Sequence, residues 1–348
     1  MKILVIQQKM IGDVLVSTVI CEALKKAFPT AEVHYMIHPN TVAVVDNNPF
    51  IDRIVVFDPQ LYKGFFGLLR LGKSLKNEHY DVVIDAYAKL ESLIPTLLSA
   101  AKQRIGFKKW YTPFFYTKSI EREEGILNTA VVHRLNLAKE ITKTTIEPMF
   151  PQIYLSNRER EVAAEKIQEN IGTNIKLLMI SVLGSNPSKS LPASQMAETL
   201  DFIATQTDAT LLFNFMPNQL DEATEIYNLC KPATQDVIKL DFYTKSLREF
   251  LAILSQCQAL IGNEGGAVNM AKALNIPTFT IFSPWISKES WNMLTEHKNH
   301  EAVHLADYYP ELYLNVNPKV FKAKSLSLYQ QLELSNYSEQ LKSFLRQI

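Results

Sequence analysis

Short apolar runs alternate with longer amphipathic segments, and the whole alternation occurs twice along the chain. Apolar runs of about four to eight residues bounded by turn residues are typical of buried strands, whereas apolar residues spaced three and four apart are typical of helices. Their alternation predicts parallel sheets covered by helices. Strands are predicted at residues 2–7, 32–38, 53–58, 81–86 and 104–107 in the first half, and at 176–183, 209–215, 237–241, 259–262 and 277–282 in the second. Helices of the first half are predicted at residues 13–27, 65–76, 90–101 and 128–143.

Residues 144–152 separate the two halves and are the best linker candidate, because they contain two prolines and no periodic apolar pattern. The chain has 348 residues, which is longer than one usual hydrophobic core, so two domains are expected. We predict an N-terminal domain over residues 1–150 and a C-terminal domain over residues 151–324. Residues 325–348 have helical spacing and are predicted to form a helical segment that packs back on the N-terminal domain.

The composition excludes several classes of protein. Lys and Arg together number 36, as do Asp and Glu, so no overall field attracts nucleic acid, and we expect no such partner. The three scattered cysteines include no CxxC pair, which indicates a reducing compartment rather than a disulfide scaffold or a zinc site. No apolar run is long enough to span a bilayer, and the first apolar run is too short for a signal peptide. A cytoplasmic location is therefore expected.

The most informative segment runs from Ile261 to Pro284 and has the pattern of strand, glycine turn, helix and strand. The turn is Asn263-Glu264-Gly265-Gly266. Two adjacent glycines let backbone N–H groups come close to a ligand, and the helix N-terminus adds partial positive charge. The turn therefore suits an anion such as a phosphate. A turn that only connects two elements is the alternative, and the segment alone does not decide between them.

A second candidate site follows the first predicted strand, where residues 7–13 lead into an apolar helix. Asp13 suits the N-cap of that helix, a role that Asp often has. A carboxylate at the carboxyl end of a strand also faces the edge where ligands bind, and it can accept a proton there. Lys9, just before it, suits either an anionic group of a ligand or a solvated loop.

A third candidate is the loop after the first strand of the second half, Gly184-Ser185-Asn186-Pro187-Ser188-Lys189. Serine hydroxyls and backbone N–H groups donate hydrogen bonds and lysine supplies a compact positive charge, so the loop suits a diphosphate. It is not a Walker A loop, because GxxxxGK[ST] is absent. A polar surface loop is the alternative. Gln219 lies in another polar loop, after the strand predicted at residues 209–215.

Several catalytic motifs do not occur in the sequence. There is no GxGxxG fingerprint of dinucleotide binding, no HExxH, no GxSxG, and no D-x-D triplet of the kind that holds a metal in sugar-nucleotide enzymes. The seven histidines show no spacing typical of metal ligands. We therefore expect neither a metal ion nor a bound cofactor.

Two segments of the first half mix aromatic and basic residues. Residues 62–76 include Phe65, Phe66 and Arg70, and residues 106–116 include Lys108 beside Trp110. Such mixtures suit an anionic, lipid-linked acceptor at a membrane surface. Ordinary packing of an amphipathic helix and a loop is the alternative, and the residues alone favour it slightly.

Taken together, these segments resemble glycosyltransferase family nine, the heptosyltransferases of lipopolysaccharide assembly. The opening Lys2-Ile-Leu-Val-Ile with Ile11-Gly12-Asp13-Val-Leu-Val-Ser-Thr looks like that family's first strand and Gly-Asp turn. The family pattern also fits Phe28-Pro29, Asn48-Pro49-Phe-Ile51-Asp-Arg-Ile54, Tyr80-Asp81-Val-Val-Ile-Asp85, Arg104-Ile-Gly-Phe107 and the segment from Asn263 to Pro284. The resemblance covers most of the chain.

The resemblance implies an α/β protein with the GT-B fold, in which two Rossmann-like doubly wound domains face each other across a cleft. It implies an inverting, metal-independent glycosyltransferase that moves a sugar, first of all heptose from ADP-heptose, onto a lipopolysaccharide core or related saccharide. The implied partners are a nucleotide-sugar donor and a lipid-linked or saccharide acceptor. The implied location is the cytoplasm, with peripheral contact on the inner face of the cytoplasmic membrane.

Site residues follow from the resemblance together with the loops above. Asp13 matches the family's general base, and Lys189 matches a lysine that binds the donor phosphate. The predicted donor-binding residues are Ser185, Ser188, Lys189, Gln219, Glu264, Gly265, Gly266 and Asn269. The predicted acceptor-binding residues are Lys9, Gly12, Arg70 and Lys108.

The chain departs from the family pattern at three donor positions. The family usually has Asp where this chain has Glu264, His where it has Asn269, and an acidic residue near Gln219. Asn and Gln still form hydrogen bonds but carry no charge, and these departures bear on the donor's identity more than on the reaction. The alternative function is a non-catalytic nucleotide-sugar or glycolipid-binding protein on the same fold, against which Asp13 and Lys189 argue.

Overall fold

The computed structural model describes residues 1–122, 129–144, 146–147, 149–292, 299–314 and 318–348. Asn128, Thr145 and Pro148, which belong to the predicted helix and linker, lie outside the described residues. The chain divides into two compact units after Tyr154, and a short segment that begins at Glu289 groups with the first unit.

The first unit contains a parallel six-stranded sheet in the order β3-β2-β1-β4-β5-β6. Its strands are β1 (Lys2–Ile6), β2 (Glu32–Ile37), β3 (Arg53–Val56), β4 (Val82–Asp85), β5 (Gln103–Phe107) and β6 (Lys118–Ile120). Its helices are α1 (Ile11–Ala27), α2 (Gly64–Asn77), α3 (Leu90–Leu98) and α4 (Thr129–Thr142). The strand order reverses between β1 and β4, and ligands of such sheets bind beyond the carboxyl ends at that point.

The second unit repeats this plan with the order β12-β11-β10-β7-β8-β9, which places its reversal between β7 and β10. Its strands are β7 (Leu177–Ser181), β8 (Thr210–Asn214), β9 (Ile238–Lys239), β10 (Ala259–Asn263), β11 (Thr278–Ile281) and β12 (His300–Val303). The later helices along the chain are α5 (Asn157–Asn170), α6 (Ala193–Gln206), α7 (Leu220–Leu229), α8 (Pro232–Val237), α9 (Leu247–Leu254), α10 (Gly266–Ala273), α11 (Lys288–Trp291), α12 (Pro318–Ala323), α13 (Ser325–Tyr329) and α14 (Leu334–Leu345). Two doubly wound sheets confirm the predicted α/β fold class.

The central strands are apolar almost throughout, because a parallel sheet covered on both faces buries both sides of each strand. In β1, residues 3–6 have no exposed surface, and every residue of β10 is buried. The first polar groups after these strands therefore mark the sheet edge where a ligand gains access. That edge carries Gln7 in the first unit and Glu264 in the second.

The C-terminal helices pack into the core of the second unit, whereas the sequence predicts that residues 325–348 pack on the N-terminal domain. The ring of Phe344 lies 5.7 Å from that of Phe279 in β11, and the ring of Tyr337 lies 6.2 Å from it. The hydroxyl of Tyr337 shares a 2.8 Å hydrogen bond with Thr199 of α6. The apolar face of α14, at helical spacing, thus covers the second sheet.

Candidate active site

Two loops of the second unit meet where its strand order reverses. Strands β7 and β10 are hydrogen-bonded neighbours, so the loops after them begin at the same edge. Asn263, which is fully buried, fastens the two loops together. Its Nδ2 donates to the carbonyl oxygens of Ser181 (3.1 Å) and Val182 (2.9 Å), and its Oδ1 accepts from the backbone N–H of Leu191 (2.7 Å). These three bonds hold the serine-rich loop at residues 184–189 against the glycine turn.

Lys189 and Glu264 come together across these loops, with Nζ 3.0 Å from Oε1. The Glu264 side chain is only 9% exposed, so its charge depends on the lysine for compensation. The approach lacks the geometry of a hydrogen bond, and Oε1 makes none with the described residues. A buried acceptor oxygen of this kind can accept a hydrogen bond from a hydroxyl group of a ligand.

Trp285 and Lys322 border the same place, and the sequence reasoning missed both. The indole Nε1 of Trp285 donates to the carbonyl oxygen of Ser188 at 2.9 Å. The Nζ of Lys189 lies 5.5 Å from the indole centroid, and that of Lys322 lies 5.0 Å from it, both within cation–π range. Trp285 directly follows the Ile261–Pro284 segment, which is the signal that could have identified it. Two cations thus flank one ring beside Glu264.

The glycine turn has the backbone that the sequence predicts. Gly265 has φ +156° and ψ −163°, a conformation that disfavours side chains, and a Cβ there would meet no atom within 4 Å. Gly266 then begins α10. Gly184 is required for packing, since a Cβ there would lie 2.2 Å from the carbonyl oxygen of Lys189. Asn269 is buried in the first turns of α10, where its N–H donates to the carbonyl oxygen of Gly265 at 3.3 Å.

The other residues predicted to bind the nucleotide-sugar donor stabilise these loops through hydrogen bonds. The hydroxyl of Ser188 donates to Oδ1 of Asn186 at 2.7 Å, and Nδ2 of Asn186 donates to the hydroxyl of Ser185 at 3.3 Å. Gln219 donates from Nε2 to the carbonyl oxygen of Gly184 at 2.9 Å. Gln219 therefore ties the loop after β8 to the loop after β7, so all the predicted donor-binding segments lie along one edge of one sheet.

Lys272, in the last turn of α10, is buried, at 2% exposure. Burial lowers its pKa from 10.5 to about 7, because a low-dielectric surrounding disfavours the charged form. The helix that begins at the glycine turn therefore carries a group that titrates near neutral pH.

Asp13 lies in the first turn of α1, but the N-cap of that helix is Met10, so the N-cap interpretation of Asp13 is wrong. The Oδ1 atom of Asp13 accepts a 2.6 Å hydrogen bond from Nη2 of Arg134 in α4. Arg134 is 8% exposed, whereas the Asp13 side chain is 32% exposed. The sequence reasoning missed Arg134, although Arg134 shares the helical spacing of the apolar residues Val131, Leu135 and Ala138, which is a signal for it.

The loops beside Asp13 are fixed by buried polar groups. Asp85, fully buried at the end of β4, accepts hydrogen bonds from the N–H groups of Tyr87 (3.0 Å) and Ala88 (2.9 Å) and from the hydroxyl of Tyr116 (2.8 Å). Burial raises the pKa of Asp85. After β1, the side-chain amide oxygen of Gln8 is buried and makes no hydrogen bond with the described residues.

The predicted acceptor residues fall into two groups. Lys9 lies in the connection between β1 and α1, and Gly12 lies beside Asp13 in the first turn of α1. Arg70 is exposed on α2, and Lys108, just after β5, forms a 2.5 Å ion pair with Glu121. No described contact joins these last two residues to Asp13.

Large apolar side chains surround the carboxyl edge of the first sheet. Phe66, in the first turn of α2, is 81% exposed, and Trp110 and Phe114, in the loop after β5, are 94% and 77% exposed. Met10 and Leu90, after β1 and β4, are exposed as well. We call Met10, Phe66, Leu90, Trp110 and Phe114 the apolar rim.

Within the described ranges, no group of three or more His, Cys, Asp or Glu side chains is placed to hold a metal ion. No helix of the described part is both long and apolar enough to cross a membrane.

Comparison with known proteins gives the class of the protein. The family model of glycosyltransferase family 9 (heptosyltransferase) matches residues 68–310, which is more than half of the chain. The chain therefore belongs to glycosyltransferase family 9, and it is a glycosyltransferase. This sets aside the alternative of a non-catalytic binding protein.

Named relatives agree with this assignment. The chain is 25% identical over 296 residues to lipopolysaccharide heptosyltransferase 1 of Campylobacter coli, a match that covers 81% of this chain and 84% of the relative. It is similar in fold to a glycosyl transferase family 9 structure from Veillonella parvula, with TM-score 0.84 and 17% identity over 100% of this chain and 98% of that chain. It is also similar to the E. coli ADP-heptose lipopolysaccharide heptosyltransferase II, with TM-score 0.72 and 18% identity over 95% and 99%.

Proposed function

We propose that the protein is an inverting, metal-independent heptosyltransferase that moves heptose from ADP-heptose onto a lipopolysaccharide core or related saccharide. The observation that carries the proposal is the Lys189–Glu264 pair at the reversal point of the second sheet. The pair places a positive charge, which suits the diphosphate, beside a hydrogen-bond acceptor, which suits a hydroxyl of the sugar. Family membership and the names of its relatives support heptose as the sugar and ADP as the nucleotide.

The donor binds along the edge of the second sheet. Its diphosphate lies near Lys189 and the backbone N–H groups at the start of α10, where the helix dipole also favours negative charge. Lys322, held against Trp285, adds a second positive charge. The buried Oε1 of Glu264 accepts a hydrogen bond from a hydroxyl of the transferred sugar. The diphosphate thus lies beside positive charges, and the sugar lies beside a hydrogen-bond acceptor.

The reaction is a single displacement with Asp13 as the general base. An acceptor hydroxyl gives its proton to the Asp13 carboxylate while its oxygen bonds to the anomeric carbon from the face opposite ADP. The bond from that carbon to the diphosphate oxygen breaks, and its electron pair leaves with ADP. Lys189, Lys322 and the N-terminus of α10 stabilise the charge that develops on the diphosphate. Attack from the opposite face inverts the anomeric configuration.

The acceptor reaches the first unit from an anionic membrane surface that the apolar rim contacts. Aromatic side chains with such exposure favour the interface between water and lipid, where rings rest at the headgroup level. The basic residues Lys9, Arg70 and Lys89 are exposed near the same loops and complement anionic headgroups. This surface contact accords with an acceptor that is anchored in lipid.

The test is a transfer assay with ADP-heptose and a heptose-deficient lipopolysaccharide core, run in excess chelator. We expect mass spectrometry to show an acceptor that is heavier by one heptosyl residue. We expect ADP to be released in an amount equal to that of the heptosylated product. A thermal-shift screen with ADP, UDP, GDP and CMP tests the nucleotide separately, since a ligand of the native state raises its stability. Strict dependence on added magnesium or manganese, or a larger shift with another nucleotide, contradicts the proposal.

A further inference from the structure

Arg134 joins α4 to two successive turns of α1, and one of its partners is the proposed base. We propose that Arg134 is a positioning residue for the transfer, which fixes the Asp13 carboxylate through one oxygen and leaves the other to take the acceptor's proton. This inference rests on the proposed role of Asp13 as general base.

The guanidinium of Arg134 uses three separate N–H groups on three partners. Nη2 donates to Oδ1 of Asp13 at 2.6 Å, Nε to the hydroxyl of Ser17 at 3.1 Å, and Nη1 to the carbonyl oxygen of Ala130 at 2.9 Å. Ser17 is fully buried and lies four residues after Asp13, on the same face of α1. Because the guanidinium is planar and rigid, the bonds to Ser17 and Ala130 determine where Nη2 points. The position of the base is therefore set by buried groups.

The remaining carboxylate oxygen is the one that can act. Within the described residues, Oδ2 of Asp13 accepts no hydrogen bond, and the side chain is about one-third exposed. A general base works only within hydrogen-bond reach of the proton that it takes. A displacement of about 1 Å costs on the order of a hundredfold in rate, so a group that prevents rotation of the carboxylate matters to turnover.

Charge is the second effect of Arg134. The groups that interact electrostatically with Asp13 are Arg134 on α4, Arg122 after β6, Tyr35 on β2 and Tyr87 after β4. Arg134 forms the direct ion pair with Asp13, at 2.6 Å. A lysine at position 134 would keep this charge but would lack the planar fork that fixes the carboxylate.

The experiment compares Arg134→Gln, Arg134→Lys and the control Arg53→Gln, which removes an exposed 2.7 Å ion pair with Glu78 in the same unit. The readout is kcat and KM, measured separately, with ADP-heptose and heptose-deficient core. We expect Arg134→Gln to lose about tenfold to a hundredfold in kcat, with KM for ADP-heptose almost unchanged. Arg134→Lys keeps the charge but not the fork, so it should lose kcat as well. The control should match the wild type.

A double variant separates positioning from general damage. If Arg134 acts through Asp13, then Asp13→Asn with Arg134→Gln should be no slower than Asp13→Asn alone. Thermal unfolding and ADP binding by each single variant check that the chain is folded. Additive losses in the double variant, or wild-type kcat in Arg134→Gln, overturn the inference. Wild-type turnover in Asp13→Asn instead overturns the proposed base itself.

Discussion

The Nζ of Lys189 lies 3.0 Å from Oε1 of Glu264, and the two residues come from loops after the neighbouring strands β7 and β10. The contact places a positive charge and a negative charge at the reversal point of the second sheet. A nucleotide sugar also carries two kinds of group close together, an anionic diphosphate and neutral hydroxyls. The pair therefore gives the site one contact for each.

Replacement of Lys189 by Ala should weaken ADP binding by about tenfold to a hundredfold, as expected for loss of a hydrogen bond to a charged group. Adenosine, which lacks phosphates, should bind almost as it does to the wild type. Calorimetry with both ligands makes the comparison. Equal loss for both, or no loss for either, would show that the diphosphate lies elsewhere.

Lys322→Ala should also weaken ADP binding, but less than Lys189→Ala does, because Lys322 is exposed and water screens its charge. Lys324→Ala is the matched control, since Lys324 is also exposed two residues later in the chain. The measurement is ADP affinity at low and at high salt. If Lys322→Ala and Lys324→Ala change ADP affinity equally, Lys322 does not belong to the donor site.

Replacement of Glu264 by Gln should separate binding from selectivity. A neutral amide removes the negative charge beside the diphosphate, so ADP should bind at least as tightly as it does to the wild type. The amide is a poorer acceptor for a sugar hydroxyl, so transfer from ADP-heptose should slow. Calorimetry and initial rates measure the two effects. Weaker ADP binding with unchanged transfer would contradict the role given to Glu264.

Much of the fold could be predicted from the sequence, because buried parallel strands are continuous apolar runs. The exceptions are β6 and β12, edge strands of three and four residues. Lys118-Ser119-Ile120 and His300-Glu301-Ala302-Val303 have no apolar run, since an edge strand is paired on one side only. Their pairing depends on the neighbouring strand rather than on their own residues.

The candidate site was predictable only where its residues are close in sequence. The glycine turn and the Lys189 loop each show their chemistry within a few residues. Arg134 contacts Asp13 across 121 positions, and Trp285 approaches Lys322 only through folding. Local pattern gives no information on such pairings. For Asp13 it left an N-cap and a general base as alternatives, and in the structure Met10 rather than Asp13 occupies the N-cap position.

Replacement of Lys272 by Met should make the free energy of unfolding less dependent on pH between about pH 7 and pH 10.4. The folded-state pKa of Lys272 is about 7, below that of an unfolded lysine, so the unfolded chain binds more protons between about pH 7 and pH 10.4. Its contribution to stability therefore rises with pH through this window, and the cost of the buried charge is fully present below it.

That cost is on the order of a few kcal/mol, because one pKa unit corresponds to about 1.4 kcal/mol. Chemical unfolding at pH 7 and pH 10 measures the difference, with the exposed Lys324→Met as control. A Lys272→Met protein whose free energy of unfolding keeps the wild-type difference between pH 7 and pH 10 would contradict the lowered pKa.

Substitution of Trp110 and Phe114 by Ser should abolish most binding to anionic vesicles, because the apolar rim loses its two most exposed aromatic side chains after β5. Co-sedimentation with phosphatidylglycerol-containing vesicles measures the loss. Leu229→Ser, an exposed apolar position on α7 of the second unit, is the control and should bind normally. Failure of the wild-type protein to bind anionic vesicles would contradict the proposed membrane contact.

The most direct test of the proposed function is transfer by the wild type and by Asp13→Asn, with ADP-heptose and heptose-deficient lipopolysaccharide core in excess chelator. We expect heptosylated product from the wild type, inverted at the anomeric carbon. We expect a loss of about a hundredfold to ten-thousandfold in the transfer rate of Asp13→Asn, with ADP affinity unchanged. Near-normal turnover by Asp13→Asn, or no product from the folded wild type, would contradict it.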